Sequence, residues 1–259
     1  MAEVKKIATR EAYGAALVEM GKKREDFIVM DADLAAATKS GTFKKAFPER
    51  FYDCGIAEQN MMGIAAGIAA TGKKVIVSSF AMFAAGRAFE QIRNSIAYPH
   101  LKVIIGATHA GISVGEDGAS HQCCEDIALM RSIPGMTIIN PADETEAKKA
   151  VFAAIEADGP VYMRFGRLAV PVIFDEDYKF EIGKGVDLKE GNDVTIIATG
   201  LMVNEALEAY ELLKAEGINA RIINMATIKP LDNDIVLKAA KETGAIVTAE
   251  EHSVIGGLG

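Results

Sequence analysis

Between His109 and Asp126 the chain reads HAGISVGEDGASHQCCED, a segment too polar and too rich in glycine for a core strand. His109, Asp117 and His121 stand eight and four residues apart and include two of the chain's four histidines. Imidazole titrates near neutral pH, so two of them beside an aspartate suit general acid–base work or contact with a substrate hydroxyl. Histidine and aspartate also ligate metals, but this spacing matches neither HExxH nor a zinc knuckle. Upstream, Glu58 opens the apolar stretch EQNMMGIAAGIAA. A glutamate in a helix's first turn often serves only the helix dipole. In so apolar a neighbourhood burial would raise its pKa, allowing it to share a proton with a ligand nitrogen. Phe80 and Phe83 read either as core packing or as a wall for a flat heteroaromatic ring held by Glu58. Arg10, Arg164 and Arg167 are candidate anion grips, because a guanidinium can bind phosphate bidentately. No GxxxxGK[ST] or GxGxxG phosphate loop is present.

The elements that must position these residues follow from hydrophobic patterning. FIVMDAD, KKVIVSSF, LKVIIGAT, MTIINPAD and PVYMRFG, separated by alanine-rich or amphipathic stretches, predict a doubly wound parallel α/β sheet. Ligands of such sheets gather beyond the carboxyl ends of the strands, where Asp31, Asp33, Phe80, His109, Pro141 and Arg164 fall. Residues 168–193, with Pro171 and several acidic residues and glycines, predict a linker and an edge hairpin. A second α/β unit follows: strand VTIIATG, a helix from about Met202 to Glu216, strand ARIINMATI, a helix from about Asp232 to Thr243, and strand AIVTAEE. The expected domains are therefore 1–180, linker included, and a smaller unit at 181–259, which looks truncated because no covering helix follows the last strand.

Composition removes several functions. Half of the 259 residues are apolar, ample for a core, and a net charge of -8 argues against general phosphate-backbone binding, so no nucleic-acid partner is expected. Cys54, Cys123 and Cys124 form neither a CxxC pair nor an even framework, which points to a reducing, cytoplasmic compartment. MAEVKKIATREAYG has no leader-like apolar stretch, and the run MMGIAAGIAA is too short to span a bilayer, so no membrane contact is expected.

GIAEQNMMGIAAG, SSFAMF and THAGISVGEDGASHQ, in this order, resemble the pyrimidine-binding half of a transketolase. The resemblance covers essentially the whole chain and continues into a transketolase-type C-terminal domain. It implies that thiamine diphosphate binds between subunits, with Glu58 hydrogen-bonded to N1′ of the aminopyrimidine, Phe80 and Phe83 walling that ring, and Asp33 near the thiazolium. It further implies that His121 contacts hydroxyls at the reacting end of the sugar, Asp117 the acceptor's hydroxyl, and His109, Arg10 and Arg164 the phosphate, with Arg167 able to replace Arg164. Gly86 stands where some transketolases have a third aromatic, and Ala37 where longer relatives have a phosphate-binding serine. The family's GDG motif, which with an asparagine holds the diphosphate and magnesium ion, is missing, so the metal ligands are expected on a partner chain. The expectation is thus the C-terminal subunit of a two-chain transketolase, inactive alone, transferring a two-carbon ketol unit between sugar phosphates in the pentose phosphate pathway. It should form a homodimer alone and a heterotetramer with an N-terminal subunit. The alternatives are a subunit of another thiamine-diphosphate enzyme, similar to deoxyxylulose-phosphate synthase or to the β chain of a 2-oxo acid dehydrogenase, and a non-catalytic assembly subunit.

Overall fold

A computed structural model describes residues 5–259; the first four residues of the stretch read for a leader lie outside them. Among the described residues the strands are β1 (Lys6–Ala8), β2 (Phe27–Asp31), β3 (Phe51–Asp53), β4 (Lys74–Phe80), β5 (Val103–Thr108), β6 (Thr137–Ile139), β7 (Val161–Arg164), β8 (Ala169–Pro171), β9 (Val186–Lys189), β10 (Val194–Ala198), β11 (Ala220–Asn224), β12 (Thr227–Lys229) and β13 (Ile246–Ala249). Seven of them form one sheet in the order β12-β6-β7-β5-β4-β2-β3, parallel except where β12 joins β6.

Its central strands are apolar without alternation because both faces are covered. Along β2, Phe27 and Val29 join a cluster with Tyr13 and Leu17 of the helix Thr9–Lys23 and Val151 of the helix Glu144–Glu156. Ile28 and Met30 join the opposite cluster, with Met61, Met62 and Ala65 of the helix Glu58–Ala69. The doubly wound architecture expected from the sequence is therefore present, and β2, β4 and β5 all deliver their carboxyl ends to one edge. No helix among the described residues is long and apolar enough to cross a membrane.

The second sheet runs β13-β10-β11-β9, with β9 antiparallel at its edge. Two expectations need correction. ARIINMATI is not one strand: β11 belongs to the second sheet, whereas β12, two residues later, crosses to pair antiparallel with β6 of the first. Residues 168–193 form no hairpin either, since β8 pairs with β1 near the other end of the chain and β9 pairs with β11. In both cases partners distant in sequence outcompete local pairing, which hydropathy cannot register.

Candidate functional site

Glu58 is the first residue of its helix and is only 2% exposed, with Met61, Met62 and Ala65 buried behind it. Its two carboxylate oxygens accept from Nη1 of Arg87 at 3.1 and 3.0 Å. The Arg87 guanidinium in turn lies 4.7 Å above the Phe83 ring. Arg87 escaped the sequence reading, although it follows Phe83 by four residues, one turn of a helix. The backbone there is a π-helical turn over Met82–Arg87, a widened geometry recurrent at functional sites. Gly86 sits inside it, and a Cβ at that position would meet the Met82 methyl at 2.2 Å. The space of the missing third aromatic is thus occupied by a flexible thioether.

Phe80, the last residue of β4, is buried and stacks on His109 with ring centroids 3.8 Å apart; Phe83 lies beside it at 5.9 Å, nearly parallel. His121 presents its ring edge-on to Phe83 at 5.2 Å and to Phe80 at 6.0 Å. Two aromatics and two histidines separated in sequence thus form one cluster. His109, beyond β5, holds φ +57° and Asp33, beyond β2, φ +62°, so residues just past the two strands that flank β4 occupy the left-handed region. Such conformations persist where surrounding structure imposes them, often at functional sites.

Arg10 connects this cluster to the anion-binding question. Its Nη1 donates to Ala37 O at 2.7 Å and approaches Nε2 of His109 at 3.4 Å, while its Nε is buried without a partner among the described residues. An acceptor at Nε2 leaves the imidazole proton on Nδ1, 2.9 Å from Thr108 Oγ1. Burial, reinforced by the charges of Arg10 and Arg167, pushes the His109 pKa down to about 3, so this histidine is neutral at physiological pH. Asp117 and Asp33 are exposed, Asp117 in the loop between the histidines and Asp33 with its backbone N–H on Asp53.

Arg164 is placed differently. It is 3% exposed; its Nε donates to Asp126 Oδ2 at 2.9 Å and its Nη2 to Glu251 O at 2.8 Å. Tyr162 donates to the same Asp126 oxygen at 2.9 Å. Burial alone would lower the pKa of Arg164, but Asp126 holds it above the ordinary arginine value. This guanidinium is committed to a buried ion pair. Arg167, three residues on, donates to Val114 O at 2.7 Å and pairs with the exposed Glu116, so it remains at the rim with Arg10.

A cavity of about 580 Å³ elsewhere, walled by Lys23, Glu144, Lys148, Phe152 and Tyr178, shares no residue with this cluster. No group of three metal-ligating side chains occurs among the described residues.

On the outer side of the Glu58 helix, a side chain at Gly63 or Gly67 would meet open space, and Ile56 and Tyr98 are 78% and 89% exposed. The helix that opens with the buried carboxylate therefore has an outer face that its own chain leaves uncovered at Gly63 and Gly67.

The family model for the transketolase pyrimidine-binding domain matches residues 5–172, and that for the transketolase C-terminal domain matches residues 183–259. This chain belongs to the transketolase family. A Methanocaldococcus jannaschii protein described as a transketolase C-terminal section is 56% identical over 252 residues, covering 96% of this chain and 79% of the relative. A 6-deoxy-6-sulfo-D-fructose transketolase subunit of a Clostridium species is 44% identical, over 96% and 78% of the two chains. Among solved structures, a split-gene transketolase described as an inactive β4 tetramer superposes with a TM-score of 0.91 at 57% identity, over 98% of this chain and 83% of that one. The chain has the domain content of a transketolase C-terminal subunit, and the family implies thiamine diphosphate as cofactor.

Proposed function

We propose that this chain supplies the pyrimidine wall and the substrate channel for transfer of a two-carbon ketol unit from a ketose phosphate to an aldose phosphate. A separate N-terminal subunit would supply the diphosphate and magnesium site. The observation that carries the reading is a buried carboxylate, Glu58, joined through Arg87 to an aromatic wall whose other side is made of His109 and His121.

The residues present fit the cofactor's ring. Phe83 is only partly covered, and a half-exposed arginine, Arg87, spans it and Glu58. When bound, thiamine diphosphate supplies the carbanion stabilisation needed to break and remake a carbon–carbon bond. Glu58, which here accepts from Arg87, would hold a ring nitrogen of the cofactor and the proton shared with it. Phe80 and Phe83 would wall the ring, and Asp33 would serve its thiazolium side. His121, beside the wall, serves as the hydroxyl contact and proton carrier, and Asp117 engages the acceptor hydroxyl.

Arg10 and Arg167 are the pair that grips the tetrahedral anion at the far end of the sugar, in place of the buried Arg164. His109, neutral, orients Arg10 rather than contributing charge. A phosphate or a sulfonate satisfies the same two guanidinium groups. The outer face of the Glu58 helix, around Ile56, Gly63 and Gly67, is the subunit face, giving a homodimer alone and a heterotetramer with the partner in the cytoplasm.

The test is ketol transfer from xylulose 5-phosphate to ribose 5-phosphate with thiamine diphosphate and magnesium, for the chain alone and with its candidate N-terminal subunit. Activity is expected only in the mixture, and Glu58→Gln should lower kcat by about 100-fold or more while the two chains still associate. Full transfer by Glu58→Gln would sink the assigned role, and transfer by the chain alone would sink the divided site.

A further inference from the structure

The loop carrying Asp117 and His121 is closed at its stem by a bridge between Gly111 and Cys123, whose backbones exchange hydrogen bonds of 2.8 and 3.1 Å. That stem does not rest on its own sheet alone. The turn Glu250–Ser253, beyond the carboxyl end of β13 in the second sheet, reaches across and holds both sides of it. On the entering side, the Glu251 carboxylate accepts the backbone N–H of Ser113. It also lies so close to Gly111, at φ +83°, that a Cβ there would sit 2.1 Å from the Glu251 carboxyl carbon. On the leaving side, Ser253 N donates to Cys124 O at 2.8 Å, and His252 Nε2 accepts from Ile127 N and Ala128 N at 3.2 and 3.4 Å. The Glu251 carbonyl, finally, is one of the acceptors that keep Arg164 in its buried pair.

We propose that this turn is a clamp by which the second domain sets the position of the substrate loop, with Glu251 as its positioning residue. Glu251 is 8% exposed, and its carboxylate hydrogen-bonds no residue assigned to cofactor or sugar; it acts through Gly111 and Ser113. A loop with glycines at 111, 115 and 118, all at positive φ, has much conformational freedom to lose, and an external clamp removes it before substrate arrives.

The kinetic part rests on the transketolase reading; the structural part does not. Glu251→Ala, Glu251→Asp and Glu251→Gln are compared in the full chain by amide hydrogen exchange. Gly111, Ser113 and Cys123 should exchange at least about tenfold faster in the alanine and aspartate variants, which cannot reach Ser113, while β4 and β5 keep wild-type rates. Glutamine, whose amide oxygen still accepts that N–H, should restore protection. In the complex with the N-terminal subunit, alanine should raise KM for both sugar phosphates about tenfold, with cofactor affinity within about twofold of wild type. Unchanged exchange in the loop, or acceleration spread equally over β4 and β5, overturns the clamp. Faster exchange with unchanged KM overturns its role in the site. A wild-type complex without ketol transfer would overturn the transketolase reading, and the exchange rates would still decide the clamp.

Discussion

Arg164 and Arg167 lie three residues apart at the end of the same strand, and the protein treats them in opposite ways. Arg164 is enclosed: Asp126, the Glu251 carbonyl and the Cys123 carbonyl surround its guanidinium, and Tyr162 completes Asp126. Arg167 is open: its carboxylate partner Glu116 has a side chain 83% exposed, and its charge adds to that of Arg10 over His109. A charge enclosed by buried groups of its own chain is structural, whereas one at a rim, paired with an exposed carboxylate and beside another of like sign, stays open to an anion. Glu146 belongs to the enclosed kind. Buried at the joint of the two sheets, it accepts from Ala142 N, Tyr178 Oη and Asn224 Nδ2 at 2.7, 2.7 and 2.8 Å.

Breaking the closed pair should have the largest effect. Asp126→Ala leaves Arg164 buried without a counter-charge, a loss of about 3–5 kcal/mol, which should lower the thermal midpoint by about 10 °C. A midpoint within a degree or two of wild type would show that water reaches Arg164 after all.

Glu146 sharpens the comparison through pH. Burial pushes its pKa up from 4.5 to about 7, against the hydrogen bonds it accepts. Because the folded-state value is the higher one, the folded protein favours the protonated form, so this stabilising contribution is complete below about pH 4.5 and lost as pH rises through 7. It amounts to about 3 kcal/mol. Glu146→Gln should flatten the pH dependence of urea unfolding between these limits; Asn224 Oδ1, buried without a partner among the described residues, can accept the new amide. An equally steep dependence in the variant would assign the titration to another group.

Arg167→Met should do the reverse of Asp126→Ala. Its pair with the exposed Glu116 is screened by water, so the midpoint should barely move while KM for sugar phosphates rises about tenfold in the two-chain enzyme. Stability lost with KM intact would exchange the roles assigned to the two arginines. The smallest effect concerns His109: Arg10→Met should move its titration upward yet leave it below the ordinary 6.5, because burial is the larger cause. An NMR titration of the His109 ring at or above 6.5 would contradict that order of causes.

Much of the first sheet was legible in the sequence. β2, β4, β5, β6 and β7 fall within the five apolar runs, and Glu58 begins its helix as expected, because two-sided burial forces continuous apolar strands. Phe80, Phe83, His109 and His121, chosen for their residue types and motifs, do meet. What hydropathy missed was pairing at a distance, as in β12 and β8, and partners whose identity is unremarkable in sequence, as with Arg87 and Glu251.

The sequence by itself determined the central strands of the first sheet and which residue types could handle a ring, a hydroxyl and an anion, since periodicity and side-chain chemistry are local properties. Only the tertiary structure decided which arginine is enclosed and which stays at the rim, that His109 is neutral, and that the second sheet holds the loop of the first. Each of these depends on burial and on charges brought together from distant parts of the chain, and no pattern of neighbouring residues encodes them.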